Sequence, residues 1–244
     1  MRTLLTALTC LMTAAAATGQ SVSADPRTDA LARLLQPVTA EFDDAALEDI
    51  VTYIEQVTGV TLEPVWDDDA AGGLDRDAFV TMTATGQPIL SVLERVLDKV
   101  DDEFDAATWQ CTPEGTVEIG PRSALNRRAY VRIYDVRDLT FVIPDFTDVP
   151  DLELGQIVQG QGGSSQDVDL DTPGEESEAE RLQQLIDLVK SSVEYDQWRA
   201  NGGDGASLSV YRGSLLVRAP AYIHRQIGGV SYWPTDAQVR RAAP

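Results

Sequence analysis

Residues 38–65, VTAEFDDAALEDIVTYIEQVTGVTLEPV, contain the change of period that decides the fold. Val38, Ala40 and Phe42 alternate with polar residues, the two-residue period of a strand with one face buried. The period then lengthens, and Leu47, Ile50, Val51, Ile54 and Val57 fall on one helical stripe. Asp44 is read as the N-cap, its carboxylate placed to accept from the free amides of the first turn. Gly59 supplies the left-handed residue that ends the helix, which is therefore read over residues 45–58. Val60, Leu62 and Val65 begin a second short strand that ends at Trp66.

Working outward, a loop over residues 67–77 leads to a third strand, 79–84. Gln87 and Pro88 open a second helix, where the missing N–H of proline does no harm, and Ile89, Val92, Leu93, Val96, Leu97 and Val100 form its apolar face. A hairpin follows, with Trp109 and Cys111 opposite Val117 and Ile119 across a turn at Pro113 to Gly115. Two helices over one face of a small mixed sheet would bury these stripes, giving an α+β unit over residues 37–121.

A second unit is read over residues 128–233. AYVRIYDVRDLTFVI, residues 129–143, starts as a strand buried on at least one side. Residues 151–176 then hold Gly, Gln, Ser and acids with few apolar side chains, so they are expected to form a disordered insert. Ser177 and Glu180 stand at capping-box spacing ahead of Leu182, Leu185, Ile186, Val189 and Val193 on one helical face. After a Gly-rich loop at residues 201–205 come strands at 207–211 and 214–218, joined at Arg212 and Gly213. Pro220 opens a short helix carrying Ile223 and Ile227, which Gly228 and Gly229 cut off. Both units thus read strand, helix, strand, strand, helix, and the fold class is α+β with two βαββα-type modules. Residues 20–36 are read as a linker and 234–244 as a tail.

The N-terminus has the pattern of an export signal over residues 1–19: Arg2, an apolar run from Leu4 to Ala17, then small residues, so the mature chain is expected to begin near Thr18 or Gln20. That run is shorter than the roughly 20 residues of a membrane-spanning helix, and no later segment qualifies, so no membrane span is expected. Cys10 follows Thr9 within the apolar run, which argues against a lipid anchor. Cys111 is then the one mature cysteine, leaving no internal disulfide. It is read as a half-buried strand residue. A net charge of −21, from 40 acids against 19 bases, repels phosphate backbones and anionic lipid, so neither nucleic acid nor a membrane surface is an expected partner.

These residues resemble the periplasmic N-terminal domains of secretins and the related short N-terminal domain of secretins and TonB-dependent receptors. Residues 38–65 and GQPILSVLERVLDKV, 86–100, are similar to that domain's strand, acid, helix, Thr-Gly, strand pattern and to its second helix. SLSVYRGSLLVRAPAYIHRQI, 207–227, is similar to the following KH-like secretin N-domain. The resemblance implies docking and ring-packing surfaces and carries over no catalytic residue. Secretins continue into a glycine-rich pore domain, whereas this chain stops at Pro244, so secretin-type docking domains without their pore are expected.

Reactive chemistry is sparse. The one histidine, His224, lies beside Ile223 on a short amphipathic helix and is read as a surface or packing residue. One histidine and one mature cysteine cannot supply the usual zinc ligand set. Gly160, Gly162 and Gly163 do not form a phosphate loop between strand and helix. Asp167, Asp169, Asp171 and Glu178 occupy positions one, three, five and twelve of a calcium loop, but Thr172 stands where glycine is required and Pro173 follows. Asp67, Asp69, Gly72 and Asp75 form a second partial match without a closing glutamate. Solvated acidic loops account for both, and no cofactor is expected. Trp66 and Trp109 are read as packing residues, while Trp198 and Trp233 lie near loops and are taken as contact candidates. The expected protein is an exported, non-catalytic envelope or periplasmic protein that docks to another envelope or secretion-system protein. The alternative is a calcium-binding or salt-adapted structural protein.

Overall fold

The structure is a computed structural model that describes residues 25–67, 72–101, 105–141 and 177–243. The signal segment 1–19 and the insert 151–176 lie outside the described residues. The segment read as a linker, 20–36, instead contains helix α1 (Pro26–Leu34). Asp25 caps it by accepting from the Arg27 N–H, and Leu31 and Leu34 are fully buried. Nine residues are too few to hold a helix alone, so packing of Leu31 and Leu34 into the core holds α1, and the Asp25–Pro26 pair that starts it is the local signal the linker reading passed over.

β1 (Pro37–Ala46) runs past the expected strand because it contains a bulge between Phe42 and Ala45, with Asp44 at φ 50°. Asp44 is therefore a strand residue whose N–H donates to Thr81 Oγ1 at 3.0 Å, and helix α2 (Leu47–Thr58) starts after Ala46 with no side-chain cap. Its end at Gly59, φ 64°, is as read. Next come β2 (Leu62–Pro64), β3 (Phe79–Pro88), α3 (Ile89–Lys99), β4 (Ala107–Cys111) and β5 (Val117–Pro121). The hairpin register pairs Trp109 with Ile119 and Cys111 with Val117, as the alternation required.

These strands form two sheets where one was expected. Among the described residues β1 pairs with β3 alone, and β2, β5 and β4 form a mixed sheet with β2 parallel to β5. The reason lies in α3, whose buried residues Ile89, Leu90, Val92, Leu93, Val96 and Leu97 spread over roughly 160° at about 100° per residue. One layer cannot cover that width. α3 packs against β3 of the first sheet and β4 of the second.

In the second unit a short helix α4 (Arg122–Leu125) leads to β6 (Tyr130–Asp135), α5 (Arg137–Thr140), α6 (Glu178–Ser192), β7 (Ser207–Tyr211), β8 (Ser214–Ala219) and α7 (Ala221–Gly228). The strand with which residues 129–143 were expected to start runs to Asp135, whose carboxylate accepts from the Arg137 backbone and guanidinium and turns the chain into α5. The Ser177–Glu180 capping box is present in both directions. Arg212 and Gly213, at φ 50° and 73°, make the left-handed turn of a two-residue hairpin between β7 and β8. The sheet order is β6–β8–β7, antiparallel throughout, with α6 and α7 contributing to the core on one face.

The tail, 234–244, also contains a helix, α8 (Asp236–Ala242), which packs against α1. Gln36 Nε2 donates to the Val239 carbonyl at 2.6 Å, and Thr28 Oγ1 donates to the Tyr232 carbonyl at 3.0 Å. Linker and tail were both misread in part because the two short helices support each other through contacts some 203 residues apart.

The two units meet through buried polar groups that satisfy one another. Gln110 of β4, 3% exposed, accepts from the Ala221 N–H at the start of α7 (3.1 Å) and donates to Glu118 (2.9 Å). The other Glu118 oxygen pairs with Arg128 at 2.7 Å. Arg225 of α7 lies 3.8 Å over the Trp109 ring and donates to the Trp109 carbonyl at 3.0 Å. Because Ala221 is the first residue of α7, its N–H has no partner within the helix, so the first unit caps a helix of the second. Replacing Gln110 by leucine should cost about 1–3 kcal/mol in denaturant unfolding, because the Ala221 N–H and a Glu118 carboxylate oxygen lose their partner while buried. The exposed Gln56→Ala change should stay within about 0.5 kcal/mol. Equal losses for the two variants would contradict this interface.

Candidate interaction surfaces

The calcium candidates are not brought together in the described residues. Asp167, Asp169 and Asp171 lie outside them, and Glu178 is an exposed residue in the first turn of α6. In the second partial match Asp69 is also outside, while Asp67 and Asp75 flank a bridge between Trp66 and Leu74. Among the described residues no three His, Cys, Asp or Glu side chains gather as a metal site.

The two tryptophans read as contact candidates have opposite fates. Trp198 is 0% exposed and its indole N–H donates to the Val193 carbonyl at 2.6 Å, so it is a core residue and not a contact surface. The Gly-rich loop is the missed signal. Gly203 donates to the Trp198 carbonyl at 3.0 Å, and a Cβ there would meet the Asp196 carbonyl oxygen at 2.1 Å. Glycine at 203 lets the loop fold back onto the backbone of Asp196 and Gln197, next to the buried tryptophan. Trp233 stands 50% exposed after α7.

His224 is buried rather than on the surface, between two strand tyrosines. Its Nε2 faces the Tyr130 carbonyl at 3.1 Å, and its Nδ1 faces the Tyr134 hydroxyl at 2.9 Å. A carbonyl only accepts, so Nε2 carries the proton, and in the neutral imidazole Nδ1 accepts from the phenol. Burial lowers its pKa, and the Tyr130 hydrogen bond opposes that only in part. The unfolded chain therefore takes up a proton first as pH falls, so this group's stabilisation is complete above 6.5 and declines as pH drops below it. In an untagged protein the single imidazole should titrate below 6.5 by NMR when folded and near 6.5 in urea. Equal midpoints, or a higher folded value, would contradict the buried neutral form.

Between the units lies a cavity of about 310 Å³, lined by Arg27, Cys111, Arg128, Tyr130 and Tyr232 among others. Its charges are spoken for: Arg27 pairs with Asp25 at 2.7 Å and lies over Tyr232, while Arg128 pairs with Glu118. Cys111 is fully buried where half-burial was expected, and burial pushes its thiol up to about 11, so it is protonated at neutral pH.

The second sheet presents a contrasting surface. Paired residues of an antiparallel sheet share a face, so Tyr130, Arg132 and Tyr134 lie on the same side as Ala219, Val217 and Leu215, which are buried. Val131, Ile133 and Tyr211 lie on the opposite side, exposed by 58, 65 and 59%. Leu216 sits between them, opposite Ile133. Aliphatic side chains thus face water while a tyrosine-arginine set faces inward, held by Tyr134 on His224 and by Arg132 over the Tyr134 ring at 5.1 Å. Alternation in YVRIYD shows two faces but not which is buried, so this surface was missed from sequence.

A further groove of about 440 Å³ runs beside β1, with Phe42 and Ile50 at its base and Glu41 and Asp49 at its rim. No helix among the described residues is long and apolar enough to cross a membrane. No family model, curated protein or solved structure matches this chain.

Proposed function

We propose that this is an exported, non-catalytic cell-envelope protein whose two α+β units form a docking module for another envelope protein, in secretion or pilus-type machinery. The observation that carries the reading is the open face of the β6–β8–β7 sheet. Val131 and Ile133 stand there on β6 with Leu216 of β8 beside Ile133, and Tyr211 stands across the sheet on β7 beyond Ser214, with Val131, Ile133 and Tyr211 each more than half exposed. Exposed apolar side chains on a regular sheet gain favourable burial when a partner covers them. The strand-helix-strand-strand-helix order of β1 to α3, similar to secretin N-domains, supports the same reading. So does the second unit, which has that order with two described helices, α5 and α6, after its first strand. The apolar run from Leu4 to Ala17 supports export.

A photo-crosslinking residue placed at Ile133 or at Tyr211 in producing cells should yield one defined adduct in the envelope fraction. The same probe at exposed Gln183 of α6 should yield none. The protein in that fraction should begin near Thr18 to Gln20. No adduct at either sheet position, or equal labelling at Gln183, would overturn docking through this face, and an intact Met1 in the cytosol would overturn export.

A further inference from the structure

Among the described residues the first sheet has two strands, so β1 has β3 on one side and no described strand on the other. The groove beside β1 is lined by residues of β1 and α2 and by none of β3, which places it along that open edge. An edge strand offers unpaired N–H and C=O groups that an incoming extended chain can satisfy. Here the edge also has a side-chain slot next to it. Phe42 and Ile50 are buried at its base, and Tyr53 closes one side with its ring edge-on to Phe42, centroids 5.6 Å apart at 82°.

The rim is acidic. Glu41 and Asp49 both line the groove and both are exposed. Among the described residues neither forms an ion pair, whereas their neighbour Glu48 is held by Arg76 at 3.1 Å. Asp43 and Asp44 extend the acidic run along β1. A second copy of this chain pairing edge to edge would set acid against acid, on top of a net charge of −21 per chain. A cationic segment meets no such penalty.

We propose that this groove takes an extended segment of a partner protein as a third strand on β1, with an apolar side chain in the Phe42–Ile50–Tyr53 slot and flanking lysine or arginine at Glu41 and Asp49. The inference rests on the docking reading above and names the kind of segment recognised. It gives β1 a function that its short sheet does not require: the strand is left open so that another chain can complete it.

The probe is a blocked heptapeptide, Lys-Thr-Lys-Val-Lys-Thr-Lys, titrated into the full chain while backbone amides are followed by NMR. Shifts should concentrate at residues 39–42 and 49–53, and the glutamate analogue should produce none. Glu41→Gln with Asp49→Asn, both at exposed positions, should weaken the lysine peptide by roughly three- to tenfold. A peptide of the same charge with N-methylated backbone should lose the β1 shifts, because it cannot pair with a strand edge. Equal binding of the methylated peptide, or shifts scattered over the acidic surface, would overturn strand addition. The two readings separate cleanly: adducts at Ile133 with no β1 shifts would leave docking standing and remove the groove, and loss of both would remove docking itself.

Discussion

The buried amide of Gln110 ties the molecule together. A primary amide enclosed by protein must find partners for both its carbonyl and its N–H groups, or its burial opposes folding. Gln110 finds them in both units: the Ala221 N–H at the start of α7, the Glu118 carboxylate of β5, and at 3.4 Å the Leu125 carbonyl of α4. Glu118 in turn requires Arg128. A few angstroms away Arg225 covers Trp109, whose own indole N–H donates to Glu94 of α3 at 3.0 Å. The contact between the units is therefore specified by hydrogen-bond geometry as well as by apolar area. Displacing one member would leave several buried groups unpaired.

This arrangement fixes the relative placement of the two candidate surfaces. The acidic groove belongs to β1 and α2, and the apolar face belongs to the sheet of β6, β8 and β7. With the hairpin and α7 joined by paired polar groups, and α1 joined to α8 at the chain ends, a partner engaging both surfaces would meet a preset geometry. Less ordering entropy is then lost on binding than with two units on a free tether. Long-range steering by the net charge of −21 would favour cationic partners at the encounter stage, and the exposed Val131, Ile133 and Tyr211 would supply apolar contact area once they met.

Much of the fold was legible because it is written in local patterns. The stripes of α2 and α3, the Trp109–Ile119 register, the Ser177–Glu180 box and the Arg212–Gly213 turn each follow from a period or a turn geometry contained in a few residues. What escaped depends on distant residues. α1 and α8 are short and lean on distant packing, α1 on the core through Leu31 and Leu34 and α8 on α1, and their only local signals are the Asp25–Pro26 start and the Thr235–Gln238 capping box. The division into two sheets followed from the width of the α3 stripe, which requires knowing how many layers surround it. Trp198 looked like Trp233 because both adjoin loops, and what separates them is the turn in which Gly203 folds back on the 196–197 backbone and bonds the Trp198 carbonyl. The apolar sheet face was hidden by an ambiguity of orientation, since Val131 and Ile133 look more fit for burial than the Arg132 and Tyr134 that take their place.

Native-state hydrogen exchange at the Ala221 amide tests the joining of the two units most directly. If Gln110 holds them as one cooperative body, Ala221 will exchange with the same free energy and denaturant dependence as the Trp109 to Cys111 amides of β4, all opening only in global unfolding. Exchange of Ala221 through a lower-energy opening with little denaturant dependence, while β4 stays protected, would show that the units part before they unfold and would contradict the account.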